Sequence, residues 1–328
     1  MKIREDYARD CGESPSYLDP RDSAFPFRSP PPFRKTGGWQ SFGCEGYSEG
    51  VRWLWVLVAS VGWGQTFEAT PAAVRQGETV RVRSAGQATA ARMMGRTVPL
   101  YPQTEGGRLG LMPVAAGTQP GSYPLEFLAE GGTVLRASTI TVRDARFRTQ
   151  NVVLEKAILD LQPAPGEMET VAAFQKAVSE TRRWVEPLAR PVPGCMVSPY
   201  GVRRLHNGKP TGEYHRGIDQ RAAAGQPVRA VAAGEVKIVR KFNLHGGTVA
   251  IDHGQGLESI YLHLSRFATT EGALVKKGDV IGYAGSTGRS TAPHLHWSLY
   301  VHGVPVNPVQ WVPLKPCVQA KRPASLVP

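Results

Sequence analysis

Between Pro227 and Gly303 the chain offers no helical pattern of ten or more residues. Strand-like runs follow one another instead, broken by glycine. Residues 227–233 lead into 234–239, and residues 247–253 pass through Gly254-Gln-Gly into 258–263. Residues 277–284 precede the loop Gly285-Ser-Thr-Gly-Arg-Ser-Thr-Ala-Pro293, and residues 294–303 close the series. Short runs of β-branched and aromatic residues separated by turn signals pair as hairpins. The segment is therefore expected to be antiparallel and all-β. Glycine and proline, at 36 and 27 of 328 residues, extend the turn-rich reading to the whole chain and exclude a helical bundle.

Residues 66–144 follow the same grammar. Thr79-Val-Arg-Val-Arg-Ser84 and Tyr123-Pro-Leu-Glu-Phe-Leu128 alternate with period two, between turns at Gln76-Gly-Glu, Gly106-Gly and Gly131-Gly. Repeated strands of this kind predict an antiparallel β-sandwich. The stretch Pro71…Val74-Arg-Gln-Gly-Glu-Thr-Val80 resembles the first hairpin of bacterial immunoglobulin-like modules, which implies an immunoglobulin-like sandwich. This region has no histidine and no titratable cluster, so it reads as a packing, spacing or targeting module. Residues 145–192 connect it to the C-terminal domain. After the break at Pro163-Ala-Pro-Gly166, the spacing of Val171, Phe174, Val178 and Val185 predicts a helix over 167–185, ended by Pro187. Its acidic start and basic end suit the helix dipole. The expected fold class is all-β: an immunoglobulin-like sandwich, a helical linker at 145–192 and an antiparallel β domain at 195–317, with a tail at 318–328.

Residues 1–50 carry no clean strand or helix period. Arg52 then precedes an apolar run from Trp53 to Val61, followed by Gly62 and Gly64. This is the layout of a secretory signal peptide at 51–64. The run is too short for a membrane span of about 20 residues, so no transmembrane segment is expected once the signal is removed. Residues 1–50 are expected to be a non-structural extension or the product of a mis-assigned start. Residues 1–64 hold 8 basic and 8 acidic side chains, so the formal charge of +12 belongs to the remainder. Cys195 and Cys317 are the cysteines left after this leader, flanking the last domain. An even pair in an exported chain is a disulfide candidate, with free buried thiols as the alternative.

All eight histidines come after residue 205. His294 and His296, two apart in a strand, project to the same face. His215 and Asp219 are four apart in His-Arg-Gly-Ile-Asp, where Gly217 disfavours a helix and a bend would bring the two side chains together. Two histidines and an aspartate leave one position open on tetrahedral zinc, as hydrolytic sites require. On spacing alone a metal site, surface histidines and polar pairs in a ligand groove all stay open. His253 reads as structural, His245 and His302 as surface residues, and His206 as part of a solvated turn or a groove lining. Arg289 is a candidate for shaping a substrate path. Its Gly-rich loop lacks the Lys-Ser/Thr ending of a phosphate cradle, which excludes nucleotide binding.

Five motifs carry a resemblance. They are Ser198-Pro-Tyr-Gly-Val-Arg-Arg204, His215-Arg-Gly-Ile-Asp219, Ile251-Asp-His-Gly254, Tyr261-Leu-His-Leu-Ser265, and the Gly285–His296 stretch ending in His-Leu-His. In their order and separations, residues 195–312 resemble the M23 metallopeptidases, the lysostaphin and LytM-like endopeptidases. The resemblance implies a LytM-like domain with one zinc ion held by His215, Asp219 and His296, and a catalytic pair, His263 and His294. An H-E-x-x-H helix is absent. Two departures occur: Gln220-Arg-Ala-Ala replaces the usual apolar and small residues, and Trp297 takes the place of a common Phe. The implied activity is hydrolysis of peptidoglycan stem or bridge peptides by metal-activated water, in the periplasm, the cell envelope or the extracellular space. The alternative is a non-catalytic, envelope-binding regulator of another wall hydrolase, acting through an unknown regulatory partner. Retention of all five site residues favours the enzyme. The basic excess suits an anionic envelope, and no nucleic-acid recognition motif is present.

Overall fold

The computed structural model describes residues 66–318. The expected leader at 51–64, the first fifty residues and most of the tail lie outside the described residues.

Alternating apolar residues build the first unit as expected. One sheet has the order Thr66–Thr70, Thr79–Ala85, Arg108–Pro113, Tyr101–Pro102. The other runs Ala73–Arg75, Val134–Arg143, Gly121–Leu128, Ala90–Met93, Arg96–Pro99. Val80, Val82 and Met112 from the first meet Leu125, Phe127 and Ile140 from the second in one fully buried core. Not every pair is antiparallel: Ala73–Arg75 runs parallel to the end of Val134–Arg143.

The C-terminal unit is built on an eight-stranded sheet. Its order is Met196–Ser198, Ile218–Arg221, His294–Val301, Leu257–Leu264, Gly247–Gly254, Gly234–Lys241, Leu274–Val275. Val304–Val306 folds back on the far end of His294–Val301. Every pairing in it is antiparallel. Cross-strand neighbours share a face, and the two faces part the side chains cleanly. Val249, Ile251, Tyr261, Leu295, Trp297 and Leu299 fill the main core. Ala250, Ile260 and Tyr300 face the other way. The disulfide between Cys195 and Cys317 closes this unit end to end, as the cysteine count suggested.

The connecting segment departs from expectation. The helix predicted over 167–185 ends at Lys176; α1 (Lys156–Leu159) and α2 (Glu167–Lys176) are its only α-helices. Val171 and Phe174 do bury against Ile238, Ala250, Ile260 and Tyr300. Val178 and Val185 do not share that face; both are exposed. Backbone pairing with the C-terminal unit wins beyond Lys176. Gln255 N donates to Ser179 O, Arg183 N to His253 O and Ala189 N to Val231 O. Trp184, fully buried, stacks edge-on against Trp311 and donates its Nε1–H to Gly254 O. A continued helix would forfeit that anchor and those backbone bonds. Among the described residues no helix is long and apolar enough to cross a membrane.

Glu258 is buried in the large sheet, with both carboxylate oxygens unpartnered, opposite Asp252 and Tyr300. Burial, reinforced by the Asp252 charge, pushes its carboxyl up to about 9. The native state therefore keeps a proton that the unfolded chain releases near its ordinary 4.5. Stability from this group must fall as pH rises between those values, by up to about 1.4 kcal/mol per pH unit. Urea midpoints at pH 6 and pH 8 should show this decline in the wild type and a smaller one in Glu258→Gln. Replacing both Cys195 and Cys317 by Ser should cost about 2–5 kcal/mol, read as a lower Tm in the non-reduced protein.

Candidate metal centre

The His-x-His strand pairs directly with the strand that comes after His215. Asp219 lies opposite His296, and Arg221 opposite His294. Asp219 and His296 thus project from the same face of adjacent strands. Gly217 permits the approach: a Cβ there would sit 2.4 Å from Ser298 Oγ and 2.8 Å from His296 Nε2. The expected bend returns His215 to Asp219, with Nε2 3.1 Å from Oδ1. His296 Nδ1 lies 2.8 Å from the same oxygen and 3.1 Å from His215 Nε2. One ligand atom from each of the three residues falls within 4.8 Å of the others.

The remaining polar atoms determine which nitrogens point inward. His215 Nδ1 donates to Pro199 O at 2.8 Å, so the lone pair of this ring is on Nε2, inside the cluster. His296 Nε2 lies 3.0 Å from Ser298 Oγ, leaving Nδ1 for the interior. Arg204 Nη2 donates to Asp219 Oδ2 at 2.7 Å, which leaves Oδ1 facing the two imidazoles. Burial pushes the Asp219 carboxyl up, but the adjacent His215 and His296 overcome this and hold it well below the usual range. Burial pushes His296 down to about 4 despite Asp219. Two imidazole nitrogens and a carboxylate oxygen thus converge on one point, an arrangement that a cation between them would satisfy. Nitrogen and oxygen donors of this kind, three in number, suit a single zinc ion with an open position.

His263 and His294 stand beside this cluster. Their ring centroids are 5.0 Å apart, and that of His263 is 6.0 Å from that of His296. His294 Nε2 is 3.7 Å from Asp219 Oδ1. Each ring donates Nδ1–H to a backbone carbonyl, Thr287 O for His263 and Ala292 O for His294, both at 2.8 Å. Each ring is oriented through Nδ1, and its Nε2 is left for the site. Burial first, then the neighbouring His296 and His294, pushes His263 down to about 3. Strand alternation does not account for the aim of His263. Leu262 pairs with His296, so a regular strand would turn His263 to the opposite face. A bulge between the pairs Gly247–Leu264 and Val249–Tyr261 inserts an extra residue, and His263 takes φ +62° within it. Bulges re-aim side chains in this way.

Other histidines are corrected by the structure. His245 is half-buried, with Nδ1 2.5 Å from Oε1 of the buried Glu167, and is not a surface residue. His302 is half-buried, and burial pushes it down to about 4, with Arg96 adding to the effect. His206 ends the strand Arg203–His206; the turn falls at Asn207-Gly208. Burial and the charges of Arg289 and Arg204 lower it. His253 is structural, bonded to Ala233 O and Ser259 Oγ. Arg289 reaches Leu161 O of the connecting segment. Sequence reasoning missed Arg204, Ser298 and the Pro199 carbonyl as orienting groups. Arg204 closes the Ser198–Arg204 motif, but no spacing signal linked it to Asp219.

Gln220 and Trp297, the two departures from the expected pattern, form one interaction. The larger ring brings an indole N–H into the core, and Gln220 Oε1 accepts it at 2.6 Å. Gln220 Nε2 donates to Gly194 O, so the buried amide is satisfied. Gln220→Leu alone should leave the indole unpaired and cost about 1–3 kcal/mol. Adding Trp297→Phe should recover part of that loss in a double-mutant cycle read by urea denaturation.

Residues 213–308 match the profile of peptidase family M23. Mpg of Neisseria meningitidis, a DD-carboxypeptidase/endopeptidase, is 46% identical over 125 residues, which are 38% of this chain and 28% of that protein. The peptidoglycan DD-endopeptidase ShyA of Vibrio cholerae is 37% identical over 131 residues, 40% of this chain and 30% of its own. The chain thus spans under a third of the length of these relatives. A crystal structure of a candidate M23 peptidase from Pseudomonas aeruginosa aligns with TM-score 0.57 and 26% identity, covering 72% of this chain and 93% of that one. The matched residues 213–308 contain His215, Asp219 and His296, so the similarity to peptidase family M23 covers the candidate metal centre.

Proposed function

We propose that this protein is a zinc-dependent endopeptidase that hydrolyses the peptide cross-links of bacterial peptidoglycan. The observation that carries the reading is the convergence of His215 Nε2, Asp219 Oδ1 and His296 Nδ1 beside two further imidazoles. In this reading those three atoms hold the metal. Zinc bound there would acidify a water and polarise the scissile carbonyl. The chain's own residues supply the proton handling. His263, kept unprotonated by burial, takes a proton from the attacking water at Nε2 and returns it to the leaving amide nitrogen. His294, its ring oriented by the Nδ1–H donated to Ala292 O, would as the imidazolium donate Nε2–H to the carbonyl oxygen as charge develops. Arg204 and Pro199 hold Asp219 and His215 in register.

The peptidoglycan substrate is inferred from ShyA, named a peptidoglycan DD-endopeptidase, alongside Mpg, named a DD-carboxypeptidase/endopeptidase. The formal charge of +12 suits work at an anionic cell envelope, in line with the leader read at 51–64. Residues 66–144 are read as an immunoglobulin-like module, residues 145–192 as the connection and residues 195–317 as the peptidase domain; the two-sheet sandwich with its own core supports the first of these.

The test is digestion of purified peptidoglycans with direct and with bridged cross-links by the zinc-loaded protein. Freed cross-link products should appear, vanish with a chelator and return on adding zinc. Asp219→Asn should lose both zinc and activity by at least about tenfold. A folded, zinc-loaded protein that cleaves neither substrate would reject the enzyme reading.

A further inference from the structure

Glu167 lies in the first turn of α2, upstream of the residues that match the family profile. It has no exposed surface. Its carboxylate accepts hydrogen bonds from Ala164 N at 2.8 Å, Asn243 N and Leu244 N at 3.0 Å, His245 N at 2.9 Å and His245 Nδ1 at 2.5 Å. A buried carboxylate is tolerated when donors surround it in this way. Burial pushes its carboxyl up, but the hydrogen bonds from Ala164, His245 and Leu244 outweigh this and hold it below the usual value. The relation is reciprocal. Three successive backbone N–H groups of the loop 243–245 converge on one point, an arrangement that needs an anion to satisfy it.

That loop borders the site. His245 O accepts from His263 N at 3.1 Å, and Leu244 O from Arg289 N at 2.9 Å. Gly247 N, just beyond it, donates to Thr287 Oγ1 at 2.8 Å. Thr287 O in turn accepts His263 Nδ1–H. Both the backbone and the ring of His263 therefore end on elements that this loop holds. His263 needs the support, since its φ of +62° lies in the left-handed region that residues other than glycine seldom adopt.

We propose that Glu167 is a positioning residue for His263, acting through the loop 243–245. The connecting helix is then a working part of the active site. The proposal rests on the proton-transfer role given to His263 above.

The experiment uses the full chain with Glu167→Gln, His263→Ala and the double variant. Three quantities are measured: kcat and KM on a defined cross-linked muropeptide, zinc content, and the His263 Nδ1–H resonance of 15N-histidine-labelled protein. Glu167→Gln keeps the side-chain volume while one acceptor oxygen is exchanged for a donor, and far-UV circular dichroism and Tm establish that the variant is folded before its kinetics are read. It should lower kcat by about 100-fold, with KM and zinc content unchanged and the His263 Nδ1–H resonance shifted or lost. The double variant should be no slower than His263→Ala alone. An unshifted resonance with wild-type kcat in Glu167→Gln overturns the proposal. So does a loss that multiplies in full with that of His263→Ala. If His263→Ala itself retains wild-type kcat, the proton-transfer reading of His263 falls, and the resonance in Glu167→Gln then reports separately on positioning.

Discussion

One cross-strand pair underlies the rest of the C-terminal unit: Asp219 opposite His296, on strands that the main-chain ladder holds in antiparallel register. A slip of one residue would turn either side chain to the opposite face and dissolve the cluster. The register is secured from the buried face. Trp297 and Leu295 fill the core between and beyond these positions, and Gln220 ties the indole N–H of Trp297 to the neighbouring strand. Gly217 supplies the close approach of the His215 segment to His296 and Ser298. Apolar packing on one side of the sheet thus determines polar geometry on the other.

The second level of organisation is the set of acceptors and donors behind each site residue. Backbone carbonyls of Pro199, Thr287 and Ala292 each take one imidazole N–H and leave the opposite nitrogen facing inward. Arg204 does the equivalent for Asp219 by taking its outer oxygen. Such partners cost little to build, since a carbonyl or guanidinium near a loop is common, yet they decide which atom is available. Several come from segments remote in sequence. Arg204 sits on a hairpin whose edge is extended by Thr149–Val152 of the connecting segment, in parallel register. Glu167, Leu161 and Trp184 also reach the unit from the same connection. The segment between the sandwich and the sheet is packed along its length onto the unit it precedes.

Much of this was legible in the residues. Period-two alternation and glycine turns marked both β units, because a strand with one buried face must alternate. His294-Leu-His296 announced two imidazoles on one face, and the glycine in His215-Arg-Gly-Ile-Asp announced a bend. The paired cysteines announced the closure between Cys195 and Cys317. The helix over 167–185 was misjudged because local periodicity competes with long-range pairing. Val178 and Val185 have the spacing of a helical face, but the backbone there bonds to that of His253, Gln255 and Val231, which only the fold brings near. His245 and His302 were misjudged for a related reason: glycine-flanked loops look exposed until another segment covers them.

The sequence by itself determined the β-rich architecture, the residues of the candidate metal cluster and their kinship with M23 peptidases. These are local properties, carried by alternation, by turn chemistry and by short motifs. The tertiary structure alone decided how those residues are used. It chose the inward nitrogen of each histidine, placed Arg204 on Asp219, and turned His263 toward the cluster through a bulge and a positive φ that no pattern foretold. It also joined Gln220 to Trp297 and Glu167 to the loop beside His263. Each of these depends on atoms many residues apart meeting within hydrogen-bond distance, and such meetings are set by packing, not by neighbours in the chain.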